Sequence, residues 1–141
     1  MSRKRENVRQ CKAIRQLIDD NKYTKALELI DAIPLEEVGS LDDLYRYAEL
    51  YEKAERMDKK KEIFYHIYHR THSRYMLNRL LRLTIRMGDM EEARELYFAY
   101  EVAGPITLDT FELRYLLAKA EGEPPERLIP VSYTHLRAHE T

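Results

Sequence analysis

Apolar side chains recur along the chain at intervals of three and four residues, which is the spacing of one face of an α-helix. Two stripes are the most regular, namely Leu44, Tyr47, Ala48 and Tyr51, and Leu77, Leu80, Leu81 and Thr84. Two further stripes are Ala13, Ile14, Leu17 and Ile18, and Phe111, Tyr115, Leu116 and Ala118. No segment shows sustained alternation with a period of two, so we expect no β-sheet.

These stripes and the turn signals between them predict seven helices and a short C-terminal stub. The predicted ranges are 4–20, 23–32, 41–54, 58–70, 73–87, 89–102, 107–121 and, for the stub, 124–129. Residues 34–40 are predicted to form a connector that contains a short helical turn. Ser40 is predicted to cap the helix that follows, because a serine oxygen can accept a hydrogen bond from a first-turn N–H group.

Turn-forming residues separate the predicted helices at a nearly constant interval. Asn21, Glu55, Gly88 and Gly122 begin equivalent turns, 34, 33 and 34 residues apart. Gly88 suits the left-handed conformation that ends a helix, and Asp89 suits the cap of the next one. Two helices per unit at a period near 34 residues is the spacing of tetratricopeptide repeats.

The chain resembles the tetratricopeptide repeat family over roughly residues 7–129, in units of about 7–34, 41–72, 74–105 and an incomplete 108–129. The third unit carries the family's pattern at Leu77, Leu80, Leu81, Gly88, Ala93, Tyr97 and Pro105. The first unit is shortened by Pro34, the second has Lys60 where the family has a small residue, and the fourth has Arg127 there. The sequence texture is similar to that of tetratricopeptide proteins from Firmicutes bacteria.

This resemblance implies an all-α fold of helical-hairpin tandem repeats, stacked as a short right-handed solenoid that is truncated at its C-terminal end. Residues 131–141 resemble the translation of a transposase adapter used in DNA library preparation. We therefore expect residues 130–141 to be a non-native tail, and the native chain to continue differently after residue 129. The last helix would then expose an apolar face through which the protein could self-associate.

Composition narrows the class of protein. The 141 residues include 24 Lys and Arg against 25 Asp and Glu, a formal net charge of −1, which does not suggest a nucleic-acid partner. Cys11 is the single cysteine, so no internal disulfide can form. The basic N-terminus is not followed by an apolar stretch, so the sequence does not predict a signal peptide of the usual form. No apolar run is long enough for a membrane span. We therefore expect a cytoplasmic protein.

Several residues invite chemical roles, but each has a simpler interpretation. His66, His69 and His72 could contribute to a metal site, yet polar residues near an exposed helix end explain them better. The pairs Asp19–Asp20 and Asp42–Asp43 are explained by helix capping and solvation, and Cys11 by packing. No phosphate-binding loop, nucleophile elbow or zinc-protease motif is present. We expect no catalytic residues, no metal and no cofactor.

The resemblance also implies a partner site, because the first helix of each repeat lines the concave face that receives peptides. The implied residues are Tyr45, Glu49, Glu52 and Lys53, then Asn78, Arg82 and Arg86, and finally Glu112 and Lys119. Arg82 and Arg86 are helical neighbours that could bind a carboxylate or phosphate. The alternative is that they are solvated and paired with nearby glutamates.

The sequence thus predicts a scaffold that binds a protein or peptide partner on its concave face and is not an enzyme. The alternative is a regulatory or sensor region of a larger protein whose C-terminal part is missing. Neither hypothesis identifies the partner.

Overall fold

The structure is a computed structural model that describes the backbone of residues 2–122 and the side chains of residues 5–122. Within that part of the chain, every regular element is helical, which confirms the all-α class. The elements are α1 (Ser2–Asp19), α2 (Tyr23–Ala32), a 3₁₀ helix (Leu35–Glu37), α3 (Leu41–Lys53), α4 (Met57–Thr71), α5 (Arg74–Met87), α6 (Met90–Val102) and α7 (Leu108–Ala120). The predicted stub 124–129 and tail 130–141 lie outside the described residues.

The predicted turn positions share one backbone conformation. Asn21, Glu55, Gly88 and Gly122 are all left-handed, with φ values of 60°, 60°, 84° and 82°. The first three turns also share a pair of backbone hydrogen bonds. In each turn, the N–H group of the left-handed residue and that of the next residue donate to carbonyl groups of the preceding helix. The donor pairs are Asn21 and Lys22, Glu55 and Arg56, and Gly88 and Asp89. This pair of bonds is the Schellman motif, which satisfies the last carbonyl groups of a helix.

Helix starts follow the predicted capping chemistry. The Ser40 hydroxyl accepts a hydrogen bond from the Asp43 N–H at 3.4 Å, and the Asp89 carboxylate accepts one from the Glu92 N–H at 3.2 Å. The helical turn expected within residues 34–40 is the 3₁₀ helix.

The described helices belong to two compact units, one ending at His72 and the other beginning at Ser73. In the first unit, α1 packs on α2, α2 on α3, and α3 on α4, while the 3₁₀ helix packs on α4. In the second unit, α5, α6 and α7 all contact one another. Each unit has its own apolar core, which includes Ile14, Leu44, Tyr47, Phe64 and Ile67 in the first and Met76, Leu77, Leu80, Leu81 and Leu113 in the second.

Burial confirms the two most regular stripes and corrects the other two. All eight residues of the stripes on α3 and α5 are buried, whereas Ala13 of the first stripe is exposed. The fourth stripe is only partly correct, because α7 buries its Ala118 but leaves Tyr115 exposed and Phe111 and Leu116 half-buried. The other buried residues of α7 are Thr110, Leu113 and Leu117. Apolar residues occur on more than one side of α7, so their spacing alone could not select the face that contacts α5 and α6.

The position at which the predicted repeat calls for a small residue is buried in α2, α4 and α6. Ala26 and Ala93 are fully buried, and Lys60 is only 6% exposed at the equivalent place. The Lys60 ammonium pairs with the Glu52 carboxylate at 3.1 Å and lies 5.3 Å from the centre of the Phe64 ring. The lysine therefore fills a position where a small residue was expected.

One aspartate differs from its predicted role. Asp43 is 3% exposed, and its carboxylate pairs with Arg15 Nε of α1 at 3.2 Å. Solvation is therefore the wrong explanation for Asp43, because an ion pair between α1 and α3 compensates its burial. Cys11 is buried in α1, as predicted.

Candidate functional site

The predicted partner-binding residues of the first unit lie on α3. Glu49 and Lys53 are exposed, and Tyr45 is half-buried. The Lys53 ammonium lies 5.3 Å from the centre of the Tyr23 ring of α2. Lys53 is thus in contact with the neighbouring helix while remaining accessible to solvent.

The predicted residues of the second unit form a more ordered arrangement. The Arg82 Nε group donates a hydrogen bond to Asn78 Oδ1 at 2.7 Å, and Arg82 Nη1 pairs with Glu112 Oε1 of α7 at 3.2 Å. The structure therefore brings together three of the residues implied by the resemblance. It also shows the glutamate pairing that was the alternative interpretation of Arg82. Arg86 lies one helical turn further along α5 and is exposed.

A cleft in the first unit was not predicted from the sequence. It has a volume of about 360 Å³ and lies among α2, the 3₁₀ helix, α3 and α4. Its apolar lining consists of Ile30, Ile33, Pro34, Leu35 and Ile63. Its polar lining consists of Asp31, Glu36, Tyr51, Lys59, Glu62, Tyr65, His66 and His69.

The connector after α2 builds one wall of this cleft. Ile33 ends α2 with an extended backbone, and Pro34, also extended, leads into the 3₁₀ helix. Val38, which follows the 3₁₀ helix, is fully buried. The Arg70 guanidinium of α4 donates a hydrogen bond to the Leu35 carbonyl oxygen at 3.1 Å. Packing of Val38 and this hydrogen bond hold the connector in place.

A hydrogen-bonded carboxylate lies at the α2 side of the cleft. Asp31 accepts hydrogen bonds from the Tyr51 hydroxyl and, at 2.9 Å, from the Arg56 guanidinium. Partial burial alone would raise the pKa of Asp31. The two hydrogen bonds and the charges of Arg56 and Lys59 outweigh that effect, so the pKa lies below its usual value. Burial and the bond to Asp31 raise the pKa of Tyr51, which stays protonated.

His66 contributes an imidazole from α4 to the same cleft. Its Nε2 atom is buried and has no hydrogen-bond partner among the described residues. Burial and the positive charge of Arg70 lower the pKa of His66, and Glu36 only partly opposes them. The imidazole is therefore neutral at physiological pH, and Nε2 can form a hydrogen bond with a group that enters the cleft.

The three histidines of the His-x-x-His-x-x-His run have different surroundings. His66 is half-buried within α4, so the prediction of an exposed helix end is wrong for this residue. His69 is exposed and stacks against Tyr65, and His72 takes the left-handed conformation at the end of α4. Among the described side chains, no group of three or more His, Cys, Asp or Glu residues is placed to hold a metal ion. No described helix is long and apolar enough to cross a bilayer.

Comparisons with protein-family models, curated proteins and solved structures give no match to this chain. The tetratricopeptide resemblance therefore remains a prediction based on residue spacing.

Residues that line the cleft carried only weak signals in the sequence. Pro34 indicated a connector, and the three histidines drew attention to α4. Pro34 and the histidines are, however, separated by about one helical hairpin along the chain. Neither pattern indicated that the connector would fold back onto α4. Contacts between distant segments of the chain, such as Arg70 with Leu35, are what create the cleft.

Proposed function

We propose that this chain is a non-catalytic scaffold that binds a protein or peptide partner. In this proposal the helical hairpins stack as a short right-handed solenoid of the tetratricopeptide type, and the partner lies on its concave face. The nearly constant spacing of Asn21, Glu55, Gly88 and Gly122, all in one backbone conformation, supports a repeat. The buried positions Ala26, Lys60 and Ala93 follow the same interval and support it as well.

The observation that carries the binding proposal is the fixed position of the Arg82 guanidinium. Its hydrogen bond to Asn78 on the same helix restricts the side chain, so less conformational entropy is lost when a partner binds. Glu112 is largely exposed, and a carboxylate of the partner could replace it or bind beside it. Arg86 on the next helical turn adds positive charge to the same face of α5.

The first test compares capture of proteins from a bacterial lysate by the original chain and by the double variant Arg82→Glu/Arg86→Glu. We expect about a tenfold loss of capture, because charge-assisted hydrogen bonds to a carboxylate are lost. The matched control is Lys22→Glu/Lys25→Glu, which makes the same change of net charge at exposed positions of the turn before α2 and of α2. Circular dichroism verifies that helicity is retained in both variants.

A third variant makes the test directional. Glu112→Gln removes the carboxylate that competes for Arg82, so it should strengthen capture of the proteins that the Arg82→Glu/Arg86→Glu variant loses. If all three variants and the original chain capture the same proteins equally, the α5 surface is not the binding site.

A further inference from the structure

We propose that the cleft of the first unit binds a basic side chain, an arginine presented by an exposed peptide segment. This site lies in a different unit from Arg82 and Arg86, and it does not depend on the role proposed for them. Charged groups, ring faces and apolar surface line the cleft, and the buried imidazole nitrogen of His66 lies within it without a partner among the described residues.

The charged lining favours a cation. Three carboxylates line the cleft, those of Asp31, Glu36 and Glu62, against one ammonium, that of Lys59. Arg56 pairs with Asp31, and Lys59 pairs with Glu62 at 3.5 Å, so these two carboxylates are partly compensated. Glu36 lies on the 3₁₀ helix, lines the cleft and is exposed, so it is the carboxylate best placed to pair with an incoming guanidinium.

The uncharged lining matches the rest of an arginine side chain. Pro34, which is exposed, and Leu35, which is half-buried, offer apolar surface for the three methylene groups of the stem. Tyr65 and His69, which stack with ring centres 6.3 Å apart, offer flat faces on which a guanidinium can lie. Acidic, aromatic and apolar groups in one cleft of about 360 Å³ suit a single long cationic side chain.

His66 supplies the remaining polar contact. Its buried Nε2 atom, when unprotonated, can accept a hydrogen bond from a guanidinium N–H group. Protonation of His66 would convert this acceptor into a donor and add a positive charge beside the ligand. Arginine binding should therefore weaken as the pH falls through the pKa of His66, which lies below the usual value of 6.5.

Other titratable and charged groups around His66 also affect how arginine binding depends on pH. They are Glu36 of the 3₁₀ helix, Asp31 of α2, Tyr51 of α3, and Lys59, Glu62, Tyr65, His69 and Arg70 of α4. His69 also lines the cleft, so the experiment requires a variant that replaces His66 alone.

The test uses NMR titration of the full chain with three capped amino acids: N-acetyl-arginine, N-acetyl-citrulline and N-acetyl-glutamate, each as its methylamide. Citrulline has the shape of arginine without its charge. We expect saturable shifts at Ile33, Ile63 and His66 with the arginine probe. Binding of the citrulline probe should be at least about fivefold weaker, because it lacks the charge-assisted contacts.

Matched variants then assign the contacts. Glu36→Gln should weaken binding of the arginine probe about two- to fivefold and leave citrulline binding unchanged, because Glu36 is exposed and its charge is screened. Glu28→Gln, at an exposed position of α2 outside the cleft, is the control. His66→Gln retains a neutral hydrogen-bonding group, so arginine binding should persist while most of its pH dependence disappears.

Three results would overturn the proposal. They are equal affinity for arginine and citrulline, preference for the glutamate probe, and the absence of saturable arginine shifts at the residues of the cleft. An effect of Glu28→Gln as large as that of Glu36→Gln would show that the response reflects net charge alone.

Discussion

At the scale of single residues, Lys60 shows how one buried position can hold two kinds of side chain. Ala26 and Ala93, at the positions that the predicted repeat makes equivalent, have only a methyl group to bury. Lys60 buries its long methylene stem as well, and its ammonium lies near the ring of Phe64 and pairs with Glu52. A long stem with a charge at its end can therefore occupy an apolar position, provided that a carboxylate lies within reach.

This arrangement predicts that the stem of Lys60 matters more for stability than its charge. Lys60→Met retains the stem and removes a charge that is costly to bury, so the free energy of unfolding should change by less than about 1 kcal/mol. Lys60→Glu places a second carboxylate beside Glu52 and should destabilise the chain by about 2–3 kcal/mol. Urea denaturation measures both changes. A large loss for Lys60→Met would show that the ion pair itself stabilises α3 against α4.

At the scale of the elements, the turns between paired helices use one backbone motif with different residues. Glycine provides the left-handed conformation at Gly88, whereas Asn21 and Glu55 adopt it with a side chain. A left-handed residue with a Cβ atom is strained, and asparagine tolerates this conformation better than glutamate. The turn between α3 and α4 should therefore be the most strained of the three.

Exchanging the two kinds of residue tests this ranking. Glu55→Gly should stabilise the chain by about 0.5–1 kcal/mol, because the strain it relieves exceeds the additional backbone entropy of glycine. Gly88→Ala should destabilise it by about 1 kcal/mol, although no heavy atom lies within 4 Å of the added methyl group. Thermal unfolding measures both. If Glu55→Gly lowered the melting temperature, side-chain contacts of Glu55 would outweigh its backbone strain.

At the scale of the whole molecule, the near balance of acidic and basic residues bears on self-association. The 24 basic and 25 acidic residues nearly cancel, and the sequence pI is about 6.5. Proteins with little net charge repel each other weakly and associate more readily. Several large apolar side chains of the second unit are also exposed, among them Phe98, Val102 and Leu108.

We therefore expect self-association to depend on pH through net charge. Light scattering at constant protein concentration should be greatest near pH 6.5 and should fall at pH 8.5, where the chain carries a larger negative charge. Circular dichroism at both values provides the control for unfolding. Scattering that is unchanged between these values would indicate that apolar contacts, and not net charge, govern association.

The sequence by itself determined the local features of this protein. Helix positions follow from apolar spacing, and helix ends follow from residues such as Ser40, Gly88 and Asp89, because capping and turn conformation depend on neighbours along the chain. The stripes on α3 and α5 were also predictable, since each has a single continuous apolar face. Asn78 and Arg82 were placed on one helix, but their hydrogen bond was not predicted.

Only the tertiary structure decided which groups from distant segments meet. The buried face of α7, the ion pair of Asp43 with Arg15, and the contact of Arg82 with Glu112 each depend on how helices pack. The cleft beside His66 depends on the fold of residues 33–40 back onto α4. Helical periodicity describes one helix at a time, whereas burial and ion pairing depend on the partner helix, which periodicity does not specify.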